Sequence, residues 1–460
     1  MPNQPGVRAT VSRIRHHTLS RAYAGTGVLV IIGIVASTDI SLSTAAVLWI
    51  TAFPVAIWSP LGLTGGLLIA VPWIYVPARI GEWSFSHVEL ATTIGAAAIA
   101  VHLSTAIARH RGWTVVQQLL QPVRITLPAL ALLVTAAFSL RYVADPAHLG
   151  ESVREFRTVI VGPLLAFLIF RWTLASPLAN RYAITCLVGS GAIVAVRAIV
   201  GDNVIVADGV SRITGPYPHP NNLALYLERV TLVGAAVVIT GRRSSSRWQW
   251  AFVVLTTLCG LGTVLTASRG GILALVAGGL AIAKQTERRY SIAVLAGFST
   301  ALSVALLFGR GRLTATGGTG GEFTRLPIWR SSLEMIRDYP LTGVGLDQFL
   351  YQYLPRYVEP VAWPERFTSH PHNVLLDLWL RLGILGPVLG LWLLAAIWTI
   401  RRSTSSAPDT AFRSFQIAGT TALLGSLVHG MVDNSFFLPD LAVLTWFFVA
   451  LVERSTESAR

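Results

Sequence analysis

Long apolar runs, repeated along almost the whole chain, restrict the fold of this sequence more than any other feature. Runs of spanning length lie near 22–38, 42–58, 60–77, 89–107, 125–142, 157–175, 181–200, 223–241, 249–266, 271–283, 291–308, 373–400, 414–432 and 440–453. A helix needs about 20 apolar residues to cross a bilayer, and within lipid every backbone polar group must be satisfied internally. The pattern therefore predicts an all-α polytopic membrane protein of about 14 transmembrane helices, with 271–283 and the closely spaced 42–77 pair fitting least well. Charge content agrees. Only 13% of residues are charged, against about 25% in a soluble domain. The apolar stretch ending near Ala36 is read as a span and not as a cleaved leader, because the pattern runs straight on into a second span.

The basic residues orient the chain. Arg8, Arg13, Arg15 and Arg21 precede the first run, and Arg109, Arg111 and Arg124 fall in the fourth connection. Arg242, Arg243 and Arg247 fall in the eighth, Lys284, Arg288 and Arg289 in the tenth, and Arg401, Arg402 and Arg413 in the twelfth. All are even-numbered, so one parity puts them and both termini in the cytoplasm. The loops 143–156, 201–222, 267–270, 309–372 and 433–439 then face outside. The expected division is a cytoplasmic tail at 1–21, a transmembrane bundle at 22–308 and a loop subdomain at 309–372. Transmembrane helices at 373–453 and a second tail at 454–460 complete it.

The net charge of +14 is almost wholly arginine, a residue suited to bidentate phosphate recognition. These charges are scattered over short loops, which argues against nucleic acid as a partner. Cys186 and Cys259 both lie inside apolar runs, so neither a disulfide nor a metal site is implied. No His, Cys, Asp or Glu group has metal-ligand spacing, and no metal or cofactor is expected.

The 309–372 loop is far longer than ordinary connections. It opens with Gly317-Gly318-Thr319-Gly320-Gly321, a flexible composition. Trp329, Leu333 and Ile336 then recur at helical spacing, predicting a short amphipathic helix lying on the membrane surface and ended by Pro340 and Gly343. Phe349, Tyr351, Tyr353, Tyr357 and Trp363 follow. They fit an interfacial aromatic belt or a wall against which sugar faces stack.

Four segments carry chemistry. Arg212 opens Arg212-Ile-Thr-Gly215, which leads to Pro220-Asn221. Ser268-Arg269-Gly270-Gly271 sits in a tight turn before a helix. Ser268 can cap that helix, and its free N–H groups and positive end favour an anion beside Arg269. Arg325 and Trp329 form the third segment. The fourth is Ser369-His370-Pro371-His372-Asn373, at the mouth of a helix whose positive end keeps His372 neutral and able to act as a base. Interfacial caps and turns are the plainer use of each segment alone. Together, two or three arginines and a neutral histidine suit displacement of a pyrophosphate leaving group by a sugar hydroxyl.

Ser268-Arg269-Gly270, Arg325 through Trp329, Asp338 through Gly345, His372-Asn373-Val374-Leu375-Leu376 and Gly383 through Gly386 resemble the O-antigen ligase/polymerase superfamily of bacterial membrane glycosyltransferases. The likeness covers roughly residues 205–450. It implies inverting, metal-independent transfer from a polyprenyl-diphosphate-linked glycan donor to a glycan or lipid-glycan acceptor, on the extracytoplasmic face of the bacterial inner membrane. It implies His372 as general base, Arg212 and Arg269 as diphosphate-binding residues, and Arg325, Trp329, His370 and Asn373 as neighbours of the substrate. The family often carries a glutamate nine residues after this histidine, where this chain has Arg381. The acceptor separates polymerase from ligase, with the helix count favouring a polymerase. The rival from another class is a transporter of an anion or glycan, which would need ionisable groups deep in the bilayer. Most charges sit near the helix ends, and Glu228, Arg229, Asp377 and Arg381 are the exceptions, each within about three turns of the outer face.

Overall fold

A computed structural model describes residues 5–38, 41–80, 83–109, 112–120, 123–207, 210–241, 247–286, 292, 325–404 and 410–454. The expected span at 291–308 and the Gly-Thr stretch at 317–321 lie outside these residues, apart from Ile292. The described residues are overwhelmingly helical, with two short antiparallel hairpins, Ala78–Ile80 with Trp83–Phe85 and Val204–Ala207 with Val210–Ile213. Among the described residues, seven helices are long and apolar enough to cross a membrane: His17–Ala36, His87–Ala108, Val123–Tyr142, Pro177–Val200, Pro220–Thr240, Arg247–Leu265 and Leu385–Arg402. Ala46–Trp58, Pro60–Trp73 and Arg269–Ala283 are shorter apolar helices.

The chain forms two compact units. The first combines Met1–Leu119 with Leu165–Ser190. Its centre is a polar clasp within apolar helices. Tyr182 donates its hydroxyl to the Ala22 carbonyl at 2.9 Å, and Thr26 donates to the Gly62 carbonyl at 2.8 Å. Small residues at such crossings let helix backbones approach and bond where lipid offers no partner.

The second unit combines Leu120–Leu164 with Gly191–Arg460. Its axis is Pro220–Thr240, buried from Leu223 to Gly234. A helix apolar on every side belongs inside a bundle. It packs against Arg247–Leu265, Arg269–Ala283 and Thr410–Gly430. Leu232 fills the space left by Gly278 and Gly425, and Leu227 that left by Gly262.

The 373–400 apolar run is broken. Val374–Leu382 and Leu385–Thr404 are separate helices, divided at Gly383, whose φ is +66°. The carbonyl of Leu380, orphaned at the first helix's end, accepts from Val344 N at 2.6 Å and Gly345 N at 3.2 Å. A Cβ on Gly383 would overlap the Leu341 carbonyl oxygen. Gly383→Ala should therefore lower the melting temperature sharply, with conformation alone costing about 1–3 kcal/mol. A melting curve within experimental scatter of wild type would show that the break tolerates an ordinary residue.

The amphipathic helix exists, at Arg325–Asp338, but its buried face is not the one expected. Ile328, Ser331, Ser332, Met335 and Ile336 are buried, while Leu333 is 48% exposed. Ile328, Met335 and Ile336 join Val344, Phe349, Tyr353, Ala362 and Leu380 in one apolar cluster, so the helix seats on Val374–Leu382 and its loops. Hydropathy misses this face because two of its members are serines. Ser331 donates to the Tyr357 carbonyl at 2.6 Å and Ser332 to that of Ile328 at 2.7 Å, so neither hydroxyl is buried unpaired.

Candidate active site

Asp433 is the hub of the site, on the short connection between Thr410–Gly430 and Pro439–Arg454. Its Oδ1 accepts from His372 Nδ1 at 3.1 Å, His370 Nε2 at 3.3 Å and the Asn434 backbone N–H at 2.8 Å. Its Oδ2 accepts from Asn221 Nδ2 at 2.8 Å, with Arg325 Nη2 3.9 Å away. Burial alone would raise this carboxyl, but the hydrogen bonds and charge of the two histidines hold it well below the usual aspartate range. Burial and the neighbouring His372 push His370 down from the ordinary histidine value, so it is neutral at pH 7.

The carboxylate decides what His372 can do. A neutral imidazole carries one N–H, and given to Asp433 from Nδ1 it leaves the lone pair on Nε2. That nitrogen lies 3.2 Å from the oxygen of the Thr368 hydroxyl, whose single proton goes to the His370 carbonyl at 3.0 Å. The Thr368 oxygen thus stands beside the His372 nitrogen that Asp433 does not engage. His372 has φ +52°, a conformation that a non-glycine residue rarely adopts. Such local strain persists when surrounding contacts over-determine it. Here Trp329 Nε1 donates to the Pro371 carbonyl at 2.9 Å. Asn373 caps the next helix by accepting from Leu375 N at 3.0 Å and Leu376 N at 3.2 Å, and donates to the Met431 carbonyl at 3.1 Å.

Trp329 and Asn373 thus grip the backbone around the histidines. Arg212 is buried, donating from Nε to the Thr266 carbonyl at 2.8 Å and from Nη2 to Asn221 Oδ1 at 2.6 Å. It ties the turn that carries Arg269 to the amide that orients Asp433. Arg269 begins its helix behind Ser268, which caps it by accepting from Gly271 N at 3.4 Å. The neighbouring glycines have a use not foreseen. A Cβ on Gly270 would overlap the His429 ring, and one on Gly271 would crowd Ala224 and Glu228. They let this turn pack down onto the buried Glu228–His429 pair, whose Oε2 and Nδ1 are 2.7 Å apart.

Arg229 and Arg381, also within apolar runs, have partners as well. Arg229 donates to Ser426 Oγ at 2.5 Å and to the Ser435 carbonyl at 2.7 Å. Arg381 lies between Glu155 and Asp377, with its guanidinium 4.6 Å from the Phe437 ring centre.

Asp433 and Thr368 were not singled out from the sequence, and Asn221 was read only as the end of the Arg212 loop. The one signal for Asp433 was an Asp-Asn pair in a very short connection. Spacing along the chain likewise gave no group of metal-ligand type, yet the fold brings three such side chains together. Among the described residues, single ligand atoms of His370, His372 and Asp433 all lie within 4.8 Å of one another.

The fold defines an integral membrane protein, and the site is a histidine–carboxylate pair flanked by arginines. Residues 251–391 match the O-antigen ligase family, which supports the superfamily that the motifs resemble. That stretch contains Arg269, Arg325, Trp329, His370, His372 and Asn373, and excludes Arg212 and Asp433. No curated protein matches the chain.

Proposed function

We propose that this chain is a membrane glycosyltransferase that polymerises or ligates surface polysaccharide from polyprenyl-diphosphate-linked glycan donors. The observation that carries the reading is the His372–Asp433 pair, which leaves Nε2 as the base, with Arg325 beside it and Asn221 joining Asp433 to Arg212, which holds the Thr266 carbonyl of the turn before Arg269. The acceptor hydroxyl gives its proton to His372 Nε2 as its oxygen attacks the anomeric carbon. The bond from that carbon to the diphosphate oxygen breaks with both electrons leaving on oxygen, and the configuration inverts. Asp433 stabilises the imidazolium that forms. Arg269 and Arg325 take the charge growing on the leaving group, and Arg212 adds its own while holding the turn. The site lies on the extracytoplasmic face of the bacterial inner membrane. Both termini are cytoplasmic, and the apolar runs complete about 14 spans.

The test is purified protein with a polyprenyl-diphosphate oligosaccharide, with and without a second lipid-linked acceptor, in excess EDTA. Chain extension without acceptor identifies a polymerase, and transfer only with acceptor identifies a ligase. Full turnover is expected in EDTA, because arginines supply the positive charge. Loss of turnover on chelation, restored by Mg²⁺ or Mn²⁺, would refute the metal-free reaction. No turnover, with uptake of glycan into vesicles, would make the protein a transporter.

A further inference from the structure

We propose that His370 Nε2, His372 Nδ1 and Asp433 Oδ1 form a binding site for a divalent transition ion such as Zn²⁺, and that the ion inhibits the enzyme by occupying its base. The binding claim stands on geometry, and the inhibition rests on the function proposed above. Both histidine nitrogens converge on one carboxylate oxygen, at 3.1 and 3.3 Å. Tetrahedral zinc, with bonds of about 2.0–2.1 Å to nitrogen and oxygen, separates its ligand atoms by about 3.3 Å. The ion would stand where the two N–H protons now lie.

What distinguishes this group from a chance contact is its outer layer. Metal-ligating histidines donate their second N–H to a fixed acceptor, and ligating carboxylates are themselves hydrogen-bonded. Here the remote nitrogen of His370 faces the Ser369 hydroxyl at 3.2 Å, and that of His372 faces the Thr368 hydroxyl at 3.2 Å. The remote oxygen of Asp433 is held by Asn221. The Ser369 hydroxyl can donate or accept, and Thr368, whose proton goes to the His370 carbonyl, is placed to accept. Binding the ion at Nδ1 moves the His372 proton to Nε2, where Thr368 accepts it. The lone pair that takes the substrate proton then no longer exists. Three protein ligands leave a fourth position open to water.

The experiment is titration of the EDTA-washed protein with Co²⁺, read by the visible bands of a tetrahedral cobalt site, followed by displacement with Zn²⁺. One ion per chain is expected. Asp433→Asn and His370→Ala should each weaken binding by at least about 10–100-fold. Thr368→Val keeps all three ligands and should also weaken it by about 10–100-fold, which covers the case in which a ligand variant folds poorly. In the transfer assay Zn²⁺ should inhibit, and EDTA should restore turnover. Absence of cobalt bands in wild type, or bands unchanged in the Asp433 and His370 variants, would overturn the site. A Zn²⁺ requirement for turnover, or turnover unaffected at saturating Zn²⁺, would overturn the inhibitory role. Cobalt binding is read without substrate, so a failure of the glycosyltransferase reading leaves it intact and separately scored.

Discussion

Replacing His372 with alanine should reduce glycan transfer by about 10²–10⁴-fold, the usual cost of losing a general base, while leaving the melting curve close to wild type. The effect follows from Asp433 accepting from Nδ1, which leaves the lone pair of His372 on Nε2. Asp433→Asn should lose nearly as much, because an amide can donate to Nδ1 and stabilise the wrong tautomer. His370→Ala should be milder, since Asp433 retains His372, Asn221 and the Asn434 amide. The readout is product formation beside thermal unfolding of each variant. If His372→Ala retained turnover within about threefold of wild type, His372 would have no place in the chemistry.

Arg269 should prove equally intolerant, even of a change that preserves its charge. Lysine is a point charge and lacks the planar fork that grips two phosphate oxygens. Arg269→Lys should therefore lose roughly 2–4 kcal/mol of transition-state stabilisation, and Arg269→Ala at least as much. Folding should be largely spared, because the Ser268 cap and the packing of Gly270 on His429 remain. Activity retained in both variants would move the phosphate seat elsewhere. A large drop in melting temperature in both would make Arg269 structural.

What the sequence disclosed was local. Ser268 before Arg269 is a capping residue recognisable by type, and it caps as its position predicts, whereas Asn373, read only as a neighbour of the substrate, proves to be the cap of Val374–Leu382. The Arg325–Asp338 helix was legible from its periodicity, but its inward face was not. Ser331 and Ser332 read as polar until the carbonyls that accept their hydroxyls are known. The break at Gly383 was hidden because an apolar window averages over one glycine. Asp433 was hidden for a different reason. Its role exists only through His372 and Asn221, 61 and 212 residues away along the chain, and no spacing rule reaches that far. The arginine loop 212–215 was recognised as a site element, but its inward aim at Thr266 and Asn221 depends on how the following helix packs.

The setting of Arg381 bears on how this sequence can vary. Its guanidinium is shared between Glu155 and Asp377 in a buried place, where three charges are tolerable only because their signs alternate. A glutamate at 381, the residue the superfamily often carries nine positions after the histidine, would set three carboxylates side by side. Positions 155 and 381 are therefore free to exchange sign as a couple and not singly. A change of sign at 381 must be answered at Glu155, 226 residues earlier in the chain.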